Sequence, residues 1–287
     1  MRKKEKILII GGSSFIGSYL ILSLKKYFQL TFTYHNTKVE FSNKVENLKF
    51  NFRNNLSLEK FANFDVIIHL ATQKKLLKNK NHLNFEKIFL EKITGYCKKK
   101  NIKFIYISTS LIYKNKHHND ENSIKISSHR NQYIKSKIIF DRIIENKIEF
   151  GLKALMLRIP SIYSSELDKI SLIKSHKEKL KNNETINYYK SSSNSIRFIY
   201  LSDLSKIIKK SIKLDIDGIY NLESGENIKI IEIIENLKKK LRSNSKIKII
   251  KRNINSVNYP ILNIEKIKKK FDFEPQKKFI FFLKKIK

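Results

Sequence analysis

Short apolar runs alternate along this chain with longer segments whose apolar residues recur at helical spacing. Ile7 to Ile10, Leu30 to Tyr34, Val66 to Leu70, Phe104 to Ile107 and Leu155 to Leu157 are short, apolar and mostly β-branched or aromatic. Runs of that kind predict strands buried on both faces. Between them, Phe15 to Tyr27, Leu83 to Lys99 and Tyr133 to Asn146 carry the helical period. Strand and helix in alternation predict a parallel sheet with helices on both faces, a doubly wound α/β fold.

After Tyr163 the pattern loosens. Ile170 to Leu180 and Ile228 to Leu241 predict helices, Ile186 to Tyr189 and Ile247 to Ile250 predict short strands, and Asn187 to Ser195, with its serine run, predicts a loop. At 287 residues the chain exceeds a usual single domain, so one large or two unequal domains are expected. The division read from the pattern is a main domain over 1–163 and a smaller α/β region over 164–287, with 197–222 returning to the main domain.

Composition adds limits. A hydrophobic fraction of 41% with 19 Phe supplies a core and argues against disorder. Sixty Lys+Arg against 26 Asp+Glu give a net charge of +34, which by itself suggests a polyanion or an anionic substrate. The cations are nearly all lysine and spread over every segment, beside heavy use of Ile and Asn, so the reading taken is solvated surface rather than a dedicated face. One cysteine, Cys97, cannot form an internal disulfide, and its helix-like setting predicts a buried thiol rather than a nucleophile. Met1 to Lys6 followed by Ile7 to Ile10 imitates a signal peptide, but four apolar residues before Gly11-Gly12 are too few for one. No run approaches a membrane span. A soluble, cytoplasmic protein without a membrane partner is expected.

Three segments carry chemistry. Ile7 to Gly17 reads as a strand entering a glycine turn and then a helix, with Gly11, Ser14 and Gly17 at the spacing G-x-x-G-x-x-G, the middle glycine replaced. Glycine suits such a turn because it accepts positive φ and lets the backbone approach a pyrophosphate at the helix N-terminus. Tyr133-Ile134-Lys135-Ser136-Lys137 places a tyrosine and a lysine four apart on one helix face. There an ammonium can stabilise a tyrosinate and fit it to exchange protons with a substrate oxygen. Phe104 to Tyr113 is a buried strand ending in the hydroxyls Ser108, Thr109 and Ser110, with Thr109 24 residues before Tyr133. Strand C-termini in doubly wound sheets face the ligand crevice.

With these landmarks in order, the chain resembles the NAD-dependent epimerase/dehydratase family of extended short-chain dehydrogenases. Gly11 to Gly17, Asp65 to Ala71, Ser108 to Tyr113, Leu157 to Tyr163, Phe198 to Leu204, Gly218 to Leu222 and Phe271 to Pro275 are each similar to a family landmark. The resemblance implies a Rossmann domain over 1–163 that binds NAD or NADP, and a nucleotide-sugar substrate. It implies that Tyr133 is general acid/base, that Lys137 binds the nicotinamide ribose and lowers the tyrosine pKa, and that Thr109 hydrogen-bonds the reacting oxygen. By the same resemblance Gly11, Ser14, Phe15, Ile16, Gly17, His35, Asn51, Phe52, Leu70, Ala71, Lys137 and Pro160 would contact the dinucleotide. Ser110, Ser161 and Arg197 would contact the substrate, Arg197 at its diphosphate. His69 is read as a core histidine, no metal is implied, and a homodimer is expected.

Departures sharpen these expectations. Where the family places a ribose-binding carboxylate after the second strand, this chain reads Tyr34-His35-Asn36 with Lys38 nearby, which tilts the cofactor toward NADP. Where the family has an aspartate beside the adenine, Asn51 stands. Ser110-Leu111 replace the Asp-Glu of the 4,6-dehydratase branch, which disfavours that reaction. Ser161 replaces the family's substrate-contacting asparagine, and Arg197 is out of step by one. The expected activity is a nucleotide-sugar epimerase or ketoreductase, and the alternative is a non-catalytic dinucleotide- or nucleic-acid-binding member of the fold.

Scattered lysine with few arginines predicts no specific nucleic-acid partner. Retention of an RNA or DNA oligomer at low salt is expected to be independent of sequence and to vanish near ~0.15 M salt, where counterion release no longer drives it. Electrophoretic titration at two salt concentrations measures this, and sequence-selective binding at the higher one would contradict it.

Overall fold

The computed structural model describes residues 4–41, 45–51, 57–70, 80–114, 118–126, 131–167, 170–190, 195–251 and 259–286. It divides into two compact units, neither continuous in sequence. One comprises Met1–Lys114, Ile124–Arg158 and Ser205–Tyr220; the other comprises Asn115–Ser123, Ile159–Leu204 and Asn221–Lys287.

The first unit is built on β1 (Lys6–Ile10), α1 (Phe15–Leu24), β2 (Gln29–Tyr34), β3 (Glu46–Lys49), β4 (Val66–His69), α2 (Lys80–Lys100), β5 (Lys103–Thr109), α3 (Gln132–Glu149) and β6 (Ala154–Ile159). Later in the chain come β7 (Ser161–Tyr163), α4 (Ser171–Lys181), β8 (Ile186–Lys190), β9 (Ser195–Tyr200), α5 (Leu201–Lys213) and β10 (Gly218–Asn221). The central sheet has seven strands in the order β10-β6-β5-β4-β1-β2-β3, and the pairings from β3 through β5 are parallel. Strand order reverses between β1 and β4, the switch point at which doubly wound sheets open a crevice beyond their C-terminal strand ends.

All five expected strands of the main domain are present: β1 and β2 start one residue before the apolar run that signals them, β5 and β6 are three residues longer than theirs, and β4 ends one residue early. Each is buried almost throughout. Apolar alternation explains the packing: Leu8, Ile67, Phe104, Tyr106 and Met156 face one cluster, which Phe89 and Ile93 of α2 and Phe140 and Ile144 of α3 complete. Cys97 lies in this cluster, fully buried, and burial pushes its thiol up to about 12. β3 escaped the sequence reading because Glu-Asn-Leu-Lys is a polar edge strand, three of its four residues exposed or nearly so.

In the second unit β11 (Asn227–Lys229), β9 and β7 form a three-stranded sheet, and β8 pairs in parallel with β12 (Ile247–Lys251). Its core includes Phe198 stacked on Phe279 at 4.2 Å between centroids, with Tyr163 edge-on to both. Two expectations are corrected here. The helix read from Ile228 begins at Ile230 as α6 (Ile230–Lys240), because Asn227–Lys229 are held in a ladder with Ser195–Arg197. The loop read from Asn187 is strand as far as Lys190, because its residues pair with Lys248–Lys251; residues 191–194 lie outside the described ones. Two short helices follow, α7 (Glu265–Phe271) and α8 (Phe279–Leu283). Among the described residues no helix is long and apolar enough to cross a membrane.

One polar network lies inside the first unit. Arg158, at the end of β6, is fully buried; its Nε and Nη2 donate to the two carboxylate oxygens of Asp141 at 3.1 and 2.7 Å. Its Nη2 also donates to Glu145 at 2.6 Å and its Nη1 to the Tyr113 hydroxyl at 3.0 Å. Lys125 pairs with Glu145 and reaches Asp141 at 3.7 Å. Ser108 donates to Asp141 at 2.7 Å. Burial pushes the Glu145 carboxyl up, but Lys125 and Arg158 outweigh it and hold the group below its usual range.

Removing one partner strands a buried charge, so Asp141→Asn is expected to cost about 3–5 kcal/mol of folding stability. Chemical denaturation of the variant beside wild type measures it. A loss under ~1 kcal/mol would show that the pair is solvated.

Candidate active site

The turn after β1 is closed by its own hydrogen bonds. Gly11 sits at φ +88°, a conformation that favours glycine, and its amide donates to Thr33 Oγ1 at 3.1 Å. The Gly12 amide donates to the Thr33 carbonyl at 3.0 Å. Ser14, standing where the motif has its middle glycine, is the N-cap of α1: its Oγ accepts from the Gly17 amide at 3.1 Å and donates to the Gly11 carbonyl at 2.8 Å. Serine is a favoured cap, so the substitution stabilises the start of the helix. A Cβ on Gly17 would lie 2.5 Å from the Gly11 carbonyl oxygen and 2.6 Å from Gly12 Cα, so only glycine lets α1 approach the turn this closely. The amides of Gly12, Ser14 and Gly17 are committed within this local structure, leaving those of Ser13 and Ile16 without a hydrogen bond in the chain among the described residues.

Across the switch point, α3 lies along the end of β5. Asn131 caps α3 by accepting from the Tyr133 amide at 2.9 Å, which starts the helix one residue before the tyrosine. Tyr133, Lys137 and Asp141 then recur every four residues on one helix face. Tyr133 is half-buried, whereas Lys137 is 6% exposed. The Lys137 ammonium donates to the Ile107 carbonyl at 3.0 Å and to the Tyr106 hydroxyl at 3.1 Å. Thr109 ends β5, buried, and its Oγ1 accepts from the Leu111 amide at 3.3 Å as the cap of a single turn of 3-10 helix. Ser110 follows, fully buried, and its Oγ has no hydrogen-bond partner among the described residues.

The first unit therefore brings Thr109, Ser110, Tyr133 and Lys137 to the β5–α3 junction and the glycine turn to the end of β1. Leu70 follows β4, its amide bonded to the Ile10 carbonyl at 2.9 Å. His35 and Asn51 are half-buried just past β2 and β3. Phe52 and Ala71 lie outside the described residues. His69 is buried among Phe89, Phe104 and Tyr106; burial and the Lys137 charge hold its pKa down to about 3, so it is a neutral core ring.

Pro160, Ser161 and Arg197 belong to the second unit. Pro160 is buried and Ser161, half-buried, opens β7. Arg197, expected at a diphosphate, is 6% exposed and donates through Nε at 2.8 Å and through Nη2 to Glu223, itself 2% exposed. That guanidinium is engaged by an internal carboxylate. Three residues of the β5–α3 junction escaped the sequence reading: Tyr106, Ser108 as a hydrogen-bond donor, and Asp141. Asp141 was detectable as the next step of the Tyr133–Lys137 spacing, but inward-facing Tyr106 is indistinguishable from an ordinary core aromatic.

The sequence of residues 7–222 matches the profile of the NAD-dependent epimerase/dehydratase family. Among curated proteins, a dTDP-D-glucose 4,6-dehydratase of Dictyostelium discoideum is 26% identical over 272 residues, covering 81% of this chain and 61% of that protein. The chain thus spans about three-fifths of that relative's length. The fold is similar to that of a UDP-N-acetylglucosamine 4-epimerase from Methanobrevibacter ruminantium M1, with a TM-score of 0.79 and 22% identity over 98% of this chain and 96% of that one. It is also similar to a dTDP-glucose 4,6-dehydratase from Bacillus anthracis solved with NAD, with a TM-score of 0.81 and 19% identity over 98% and 94%. Reading a 4,6-dehydratase as disfavoured from Ser110-Leu111 gains no support from these relatives.

Gly17→Val is expected to abolish binding of a dinucleotide, because its side chain must displace the Gly11–Gly12 backbone. Calorimetric titration with NAD and with NADP reads this directly. Wild-type affinity in the variant would show that the turn does not serve a dinucleotide.

Proposed function

The chain belongs to the NAD-dependent epimerase/dehydratase family, and on that premise we propose that it catalyses reversible oxidation and reduction at a hydroxyl-bearing carbon of a nucleotide sugar, as an epimerase or ketoreductase. The observation that carries the reading is the β5–α3 junction, where the face bearing Tyr133 and Lys137 lies along a strand that ends in Thr109.

The turn fits a dinucleotide. Gly12 and Gly17 admit no side chain at the close approach, and the Ser13 and Ile16 amides at the start of α1 are available to a pyrophosphate. When bound, the nicotinamide supplies the hydride chemistry. The chain's own residues handle the proton and the placement. Tyr133 takes the hydroxyl proton when the carbon is oxidised and returns it on reduction. Lys137, held at the Ile107 carbonyl, puts a fixed positive charge one helical turn from that phenol and favours its anionic form. Thr109 hydrogen-bonds the reacting oxygen, and the Ser110 hydroxyl, without a partner among the described residues, is assigned to a second substrate oxygen. Ser161 is assigned to the substrate and Pro160 to the dinucleotide, while Arg197 is assigned to its pair with Glu223 rather than to diphosphate.

NAD is bound in the similar Bacillus anthracis dTDP-glucose 4,6-dehydratase and in a similar UDP-glucuronic acid 4-epimerase from Bacillus cereus, and it is the form proposed here. The lean toward NADP rests on Tyr34-His35-Asn36 with Lys38 nearby, and Lys38, exposed, has Glu40 at 3.9 Å. A 4,6-dehydratase is the second reading, favoured by the Dictyostelium relative. Mass spectrometry after incubation with UDP- and dTDP-hexoses separates the possibilities. An epimerase leaves the mass unchanged, a dehydratase removes water, and a ketoreductase, running in reverse on the hydroxyl, removes two hydrogens and reduces added oxidised dinucleotide.

Tyr133→Phe is expected to lower turnover by about 100- to 10,000-fold while dinucleotide affinity stays at the wild-type level, since the phenol moves a proton and holds little. Retention of full activity would remove the mechanism.

A further inference from the structure

We propose that Tyr106 is the positioning residue for Lys137, fixing through its phenol oxygen where the ammonium meets the active site. The inference rests on the role given to Lys137 above and extends it to a residue that touches neither substrate nor dinucleotide.

Lysine is a point charge on a flexible four-carbon stem, so its position must be set by acceptors. Two are present. The Ile107 carbonyl, at 3.0 Å, belongs to the backbone and is there whatever the side chains are. The Tyr106 oxygen, at 3.1 Å, depends on one hydroxyl, and the ammonium also lies 4.7 Å from the centre of the same ring. Tyr106 is 1% exposed, with His69 stacked against it at 6.0 Å and an interplanar angle of 27°. Its neighbours Phe89 and Phe104 show that phenylalanine suits this cluster. The hydroxyl is therefore not needed to fill space, and it is bonded to Lys137.

The protonation states agree. Burial pushes the Tyr106 phenol well above its ordinary value, and the charges of Asp141, Tyr133 and Glu86 push it further, so it remains a neutral acceptor. His69 is neutral as well, so it adds no second cation to the site. The titrating groups facing Tyr106 are thus His69 on β4, Glu86 on α2, and Tyr133, Lys137 and Asp141 on α3.

The test reads the tyrosinate absorbance of Tyr133 against pH, as the difference between each protein and the same protein carrying Tyr133→Phe. Tyr106→Phe is expected to move that titration upward by about one unit, and Lys137→Met to move it at least as far. In the Lys137→Met background, Tyr106→Phe should add nothing, because its effect passes through the ammonium. An unmoved titration in Tyr106→Phe, or an equal displacement in both backgrounds, overturns the proposal. An unmoved titration in Lys137→Met overturns the role of Lys137 itself, and the proposal with it. Tyr106→Leu, which also lacks the acceptor oxygen, is measured beside it in case Phe destabilises the fold. It should move the titration as Tyr106→Phe does, and an unmoved titration overturns the proposal.

Discussion

Arg158 has no exposed surface, and a guanidinium stays charged at any pH the protein meets, so its burial is tolerable only if carboxylates surround it. Asp141 supplies a two-pronged partner from α3, Glu145 adds a second carboxylate one turn later, and Lys125 balances the excess negative charge. The pair ties α3 to β6, and Asp141 also accepts from Ser108 on β5. Apolar packing alone would let a helix slide along a sheet at modest cost. Directional bonds between buried charges would not, because any slip strands one of them. Tyr133 and Lys137 lie two turns and one turn before Asp141 on the same face, so the placement of the proposed acid/base group follows from an ion pair remote from the substrate.

The glycine turn obeys a different constraint. Here the limiting quantity is distance between backbones, with Gly17 admitting no Cβ beside the Gly11 carbonyl. The replaced middle glycine costs nothing in closeness, because Ser14 turns its hydroxyl back to close the turn and cap α1. The exchange selects which amides remain for an anion.

The net charge of +34 leaves this interior undisturbed. Among the described residues the buried lysines are Lys103 and Lys137, and each is met by named acceptors: Ile216 carbonyl, Asp215 and Asp217 for the first, Ile107 carbonyl and Tyr106 for the second. The buried lysines are thus chosen by partners, while the exposed ones raise the charge without entering the core.

The sequence by itself determined what depends on neighbours along the chain. The five strands, the helices between them, the glycine turn and the family membership were legible because burial on both faces, helical period and turn chemistry are written in adjacent residues. So was the shared face of Tyr133 and Lys137. The tertiary structure decided the pairings across long separations: Arg158 with Asp141, Lys137 with Tyr106, and Arg197 with Glu223. It also decided that Asn227–Lys229 is strand, since a ladder partner some thirty residues away outweighs a helical pattern only three residues long. Local pattern specifies which elements form. The partner of a buried polar group depends on which elements meet, and that is set only when the sheet closes around it.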